Sequence, residues 1–219
     1  MTQATLRKGA RTREAILDAA LTEAASSGLS GLTFGRLAQA VGMSKSGLFA
    51  HFKSKEDLQL ATLEEARQRY VDSVQRPTLS APPGLPRLWA RCQAWLSYAQ
   101  NGVFGNGCFF SAVAVEFDNR PGAVRDTIAG LFATWIDELT QAVEQAQELG
   151  HVQPEVDARQ VAFEINALMT AANAYHQLLG GHEPFARSWR AIRRRLQAVR
   201  VVGSPDLHGL CSDEQPALV

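Results

Sequence analysis

The sequence predicts an all-α protein with a small basic head of three helices and a larger helical body. Three observations predict it. Apolar residues recur at intervals of three and four, and no window alternates as a strand does. Proline does not occur in residues 1–76 and then falls at Pro77, Pro82, Pro83 and Pro86, which marks a connection between two helical regions. Charge divides near the same place. Residues 1–55 hold eight basic and three acidic residues, a net +5, and all four lysines of the chain. The remainder nets −5, so the formal total of zero is an average over two modules.

With 219 residues, 46% hydrophobic and 20% charged, the chain has globular composition, which excludes a wholly disordered protein. No apolar run approaches the roughly 18–20 residues that span a bilayer. The segment MTQATLRKGARTRE has no apolar core of a signal peptide. Cys92, Cys108 and Cys211 are too few and too scattered for a disulfide framework, so the expected compartment is the cytoplasm. No internal repeat is visible.

Residues 1–9 are expected to form a flexible arm, with Arg7 and Lys8, continued by Arg11 and Arg13. Thr12 can cap a first helix over 12–27, whose apolar face is Ile16, Leu17, Ala20, Leu21 and Ala24, with Gly28 just past its end. Thr33 caps a second helix over 34–41, broken by Gly42, and Ser44 caps a third over 45–51. Ser54 and Asp57 have the spacing of a capping box opening a long linker helix over 55–75. A short helix, a tight turn and a second short helix, over about 33–52, form a helix-turn-helix pattern. Such a pattern brings small or basic residues, here Ser44, Lys45, Ser46 and Gly47, to the major groove. Lys53 and Lys55 follow where they can hold flanking phosphates.

The end of the linker helix and a proline-rich connection occupy 71–84, and the body extends over 85–201. Helices are expected at 85–101, at 108–117, from Pro121 in a first-turn position to Gly150, at 157–179 and from Pro184 to about 200. The residues from 202 to 219 read as a disordered tail. Ala162, Ala167, Ala171, Ala172 and Ala174 permit close helix approach. Trp89, Cys92, Phe110, Trp135, Phe163 and Tyr175 are candidates to line a cavity for an apolar or aromatic small molecule.

The stretch TREAILDAALTEAASSGLSGLTFGRLAQAVGMSKSGLFAHFKSKEDL resembles the DNA-binding domain of the TetR/AcrR family of transcriptional regulators. The matching elements are Ile16-Leu17, Ala19-Ala20, Gly28, Thr33, Leu37-Ala38, Val41-Gly42, Ser44, Gly47, Leu48-Phe49, His51-Phe52 and Ser54-Lys55-Glu56. The resemblance implies a ligand-binding and dimerisation body, with repression of a palindromic operator relieved by a small molecule. It implies phosphate contacts from Thr33, His51 and Lys55, groove contacts from Ser44 to Gly47, and a homodimer through 157–179 and 185–200. Phe49 departs from the family, which often has tyrosine there; a phenyl ring cannot bond a phosphate. The segment GCFFSAVAVEFDNRPGAVRD is also similar to the second domain of one subgroup.

No enzyme constellation is present: there is no GxSxG, no phosphate-cradling glycine loop and no HExxH. Cys92, Cys108, His176 and His182 lack metal-ligand spacing, so no metal or cofactor is expected, and redox sensing by Cys92 or Cys108 stays open. The alternatives are an architectural DNA-binding protein and a small-molecule binder whose head has lost its operator, the second suggested by Phe49.

Overall fold

The computed structural model describes residues 3–102, 104 and 107–207, the side chains of residues 3–8 excepted. The tail beyond 207, with Cys211, lies outside the described residues. The elements are α1 (Gln3–Ser27), a 3-10 turn (Leu29–Gly31), α2 (Phe34–Ala40), α3 (Lys45–Phe49), α4 (Lys55–Tyr70), α5 (Leu85–Asn101), α6 (Phe109–Phe117), α7 (Ala123–Glu148), α8 (Ala158–Leu179) and α9 (Glu183–Val199). The fold is all-α; among the described residues β pairing is limited to one isolated bridge, Val152 with Arg200.

The chain forms two compact units. One runs to Arg69 and takes in Phe104–Ala129; the other begins at Tyr70 and resumes at Gly130. In the first, Ile16, Ala20, Leu37, Leu48, Phe52, Leu58 and Leu63 are fully or almost fully buried, together with Val113 of α6. Each short helix starts on a side-chain cap. Thr33 Oγ1 accepts from the Arg36 N–H at 3.3 Å, and Ser44 Oγ accepts from the Gly47 N–H at 3.1 Å. Ser54 Oγ accepts from the Asp57 N–H, while Asp57 reaches back to the N–H of Lys53, one residue before the cap.

In the second unit, α5 packs Trp89, Cys92, Leu96 and Ala99 inward, and α8 and α9 contribute Val161, Ile165, Met169, Ile192 and Leu196. Asp157 caps α8 through the N–H groups of Arg159 and Gln160. Trp135 Nε1 of α7 donates to Asn166 Oδ1 of α8 at 3.1 Å, and Tyr70 meets both Tyr98 and Trp135 edge-on.

Three expected boundaries are corrected. Helix α1 begins at Gln3, not at a Thr12 cap, so the expected flexible arm is helical over its described part. The alanine, leucine and arginine residues before Thr12 are good helix formers and carry the helix upstream. The linker helix is α-helical only to Tyr70; Val71–Gln75 is π-helical and Arg76–Ser80 is 3-10. Pro77 gives the reason, since in a straight helix its ring would clash with the Ser73 carbonyl and its missing N–H would break the ladder. Pro121 precedes α7 by two residues, and the helix opens on the Gly122 carbonyl, bonded by the Asp126 N–H.

Candidate nucleic-acid interface

The turn between α2 and α3 is built by Gly42, whose φ of 65° lets the chain reverse and the Met43 N–H return to the Ala38 carbonyl at 2.9 Å. Leu37 and Leu48 anchor the two helices from below. What remains outside is the set of side chains picked from the sequence. Thr33, Ser44, Lys45, Ser46, Phe49, Lys53 and Lys55 are exposed, and Gly47 and His51 are half-buried. The structure thus brings all nine onto the surface of the α2–α3 pair and its flanks.

The geometry adds detail that spacing could not supply. Ser44 Oγ and Ser46 Oγ lie 3.0 Å apart. The Lys45 chain crosses Gly35, where an added Cβ would stand 3.3 Å from Lys45 Cε. Gly47 is confined from within as well, because a Cβ there would meet Met43 Cε at 3.1 Å. Phe49 stacks on Phe34 with ring centroids 4.2 Å apart. The Lys55 ammonium donates to the Ser30 carbonyl, so it braces the head internally. The His51 carbonyl accepts from Arg13 at 3.0 Å, and the Arg13 guanidinium lies 4.3 Å above the Phe52 ring. Arg13 therefore ties α1 to the end of the recognition segment; it is no part of a tail.

Sequence reasoning also passed over Arg36, paired with Glu23 at 2.7 Å, and Glu116, which bonds the turn after α1. The Arg36 guanidinium, with help from the Ser27 hydroxyl, holds the Glu23 carboxyl below its ordinary value. Glu116 stands in the EFD run of α6, so a signal for it was present.

The cavity candidates of the second unit are not gathered into one site. Trp89 and Cys92 are fully buried, Phe110 and Trp135 half-buried, and Phe110 belongs to the other compact unit. Phe163 and Tyr175 are 62% and 59% exposed; Phe163 lies on the face of α8 opposite Val161, Ile165 and Met169, and Tyr175 at the edge of the buried face in the last turns of the helix. The helical period explains this correction: two residues on from a buried position lies nearly the far side of the helix. Burial pushes the Cys92 thiol up to about 12. Among the described residues no group of three His, Cys, Asp or Glu side chains could hold a metal ion, and no helix is long and apolar enough to cross a membrane.

Residues 16–62 match the family described as "Bacterial regulatory proteins, tetR family", and residues 84–192 match "Tetracyclin repressor-like, C-terminal domain". The chain belongs to the TetR family of transcriptional regulators. TetR-family proteins bind operator DNA through the N-terminal helix-turn-helix and are not enzymes, which makes this chain a DNA-binding transcriptional regulator. No curated protein sequence matches it significantly. Solved structures do. A TetR transcriptional regulator from Chloroflexus aurantiacus J-10-FL shares 25% identity over 90% of this chain and 100% of its own, with a TM-score of 0.78. A TetR-family regulator from Cytophaga hutchinsonii shares 20% over 89% and 97%, with a TM-score of 0.76. AibR, solved in complex with isovaleryl coenzyme A and operator DNA, shares 21% over 83% and 97%, with a TM-score of 0.66.

Proposed function

We propose that this TetR-family protein is a homodimeric repressor in the cytoplasm that holds a palindromic operator and releases it when a small apolar or aromatic molecule binds the second unit. The observation that carries the dimer is the outer face of α8. Phe163, Ala167, Ala171, Ala174 and Leu178 follow one another at helical spacing along it, and all are exposed in the single chain. Small residues among larger apolar ones let a second helix approach closely. Two copies related by a two-fold axis then present two recognition helices to DNA.

On each head, Ser44, Lys45, Ser46 and Gly47 face base edges, while Thr33, His51, Lys53 and Lys55 hold phosphates. Phe49 adds an apolar surface suited to a thymine methyl group. For the inducer, the aromatic group Tyr70, Tyr98 and Trp135 is the best-supported contact. Tyr70 is the last α-helical residue of α4, the helix whose first residue is Lys55. A ligand displacing Trp135 acts directly on the end of that helix. Release requires that the ligand bind the DNA-incompetent arrangement more tightly than the competent one. AibR, solved with both an acyl-coenzyme A and operator DNA, supports a body that takes a ligand and a head that takes DNA in one fold.

Selection of duplexes from a random pool, followed by footprinting and sedimentation, tests the reading. One short palindrome bound by a dimer is expected, and Ala171→Glu is expected to give monomers that lose the palindrome. Binding to all duplexes alike with a steep salt dependence would instead identify an architectural protein.

A further inference from the structure

Glu116 of α6 aims both carboxylate oxygens at the 3-10 turn that follows α1. They accept hydrogen bonds from the backbone N–H groups of Leu29, at 2.8 Å, and Ser30, at 2.7 Å. Gly28 leaves the room for this. A Cβ at that position would stand 2.9 Å from Glu116 Oε1, and its φ of 79° disfavours any other residue. The same turn is gripped from its carbonyl side by α4. Gln59 Nε2 donates to the Leu29 carbonyl at 2.9 Å in a buried setting, and the Lys55 ammonium donates to the Ser30 carbonyl. Every backbone N–H and C=O of Leu29 and Ser30 therefore has a side-chain partner on α6 or α4.

A carboxylate on two successive N–H groups makes charge-assisted bonds, which are strong and hold one geometry. The turn joins α6 to the first two turns of α4, and it leads directly into Thr33 and α2. Lys55 is shared between this turn and the surface facing DNA. We propose that Glu116 is a positioning residue for operator binding: it fixes the turn after α1, and with it the entry into α2 and the placement of Lys55. This rests on the operator-binding reading above and names a residue, remote from that surface in sequence, that positions it. A carboxamide keeps the shape of the side chain but loses the charge and one acceptor, so Glu116→Gln retains only part of the coupling.

The test uses the full chain and a duplex that the wild-type protein selects from a random pool. Affinity for that duplex is measured for wild type, Glu116→Ala and Glu116→Gln, with Val115→Ser, an exposed neighbour, as control. Amide exchange over residues 109–117 is followed with and without the duplex. Glu116→Ala is expected to bind about tenfold more weakly, the scale of lost bonds to a charged group. It is also expected to lose the slowing of exchange in α6 that the duplex causes in wild type. Glu116→Gln should fall between the two, and Val115→Ser should behave as wild type. A Glu116→Ala protein that binds as tightly as wild type, or that keeps the duplex-induced slowing in α6, overturns the proposal. If Glu116→Ala does not fold, Glu116→Gln decides by the same two readouts. A wild-type protein that selects no duplex strikes the operator reading itself, and this proposal with it.

Discussion

Phe49 of the recognition helix lies nearly flat on Phe34 at the start of α2, with ring planes 13° apart and centroids 4.2 Å apart. Phe49 is nonetheless 52% exposed, so one face of the ring is held and the other is offered. Stacked pairs of this kind couple by about 0.5–1.5 kcal/mol beyond the area they bury. A double-mutant cycle of Phe34→Ala and Phe49→Ala in denaturant unfolding is expected to return a coupling in that range. Phe49→Tyr keeps the stack and adds a hydroxyl that can reach a phosphate, so affinity of the dimer for its operator should rise by about 25-fold, ~1 kcal/mol for each head. Gel shifts with the selected duplex give the number.

The three described lysines of the head should separate by assay. Lys45→Ala lowers binding to the selected duplex more than to a scrambled one, because it removes a groove contact. Lys53→Ala weakens both alike and reduces the slope of log affinity against log salt by about 1.8, because the dimer loses one phosphate contact on each head. Lys55→Ala does the same and also lowers the melting temperature, since its ammonium bonds the Ser30 carbonyl; the cost is about 1 kcal/mol. Equal melting temperatures for Lys53→Ala and Lys55→Ala would contradict that brace.

Acid should loosen the second unit in a defined way. The Gln160 amide and then the Arg195 guanidinium hold the Glu164 carboxyl below its ordinary value of 4.5. A depressed pKa in the folded state contributes stability above the unfolded value and loses it as pH falls through the folded one. The Arg195 contact joins α8 to α9, so it resists separation of those helices at neutral pH. Glu164→Gln is expected to flatten the fall in melting temperature below about pH 4.5, where wild type loses the pair. Thermal unfolding from pH 3 to 7, to be run on both proteins, checks it.

With its thiol pushed up to about 12 and no exposed surface, Cys92 stays protonated at neutral pH. The thiolate is the reactive form, so a folded Cys211→Ser protein should alkylate at Cys92 only after denaturation. Mass spectrometry after brief iodoacetamide treatment at pH 8, with and without guanidinium, reads this. Rapid native labelling of Cys92 would revive a redox role for it.

The head was legible in the sequence because its signals are local. Thr33, Ser44 and Ser54 each cap their own helix, and Gly42 makes its own turn. Those signals place the short helices and their turn without tertiary information, and the family resemblance adds Phe49, His51 and the role of Thr33. What the sequence could not convey depends on partners far along the chain. Arg13 reads as part of a basic tail until the His51 carbonyl is found beside it, 38 residues away. Glu116 stands in the EFD run, but that run does not disclose its partner, the turn 86 residues upstream. The cavity candidates scattered for a different reason: aromatic content marks apolar surface, but only the helical phase tells inner from outer, and Phe163 carries the outer phase, while Tyr175 is exposed near the end of α8.

The crowding of lysine into the head has a practical side. Every lysine with a described side chain, Lys45, Lys53 and Lys55, is exposed on that surface, while the second unit offers arginine alone as its cation beside histidine. Reagents that couple through amines, such as activated-ester biotin, dyes or sensor-chip chemistry, have Lys45, Lys53 and Lys55 as targets besides Lys8, and so attack the surface proposed to meet DNA. A preparation immobilised in that way is expected to bind the selected duplex weakly, whereas attachment that spares those lysines keeps the proposed surface open.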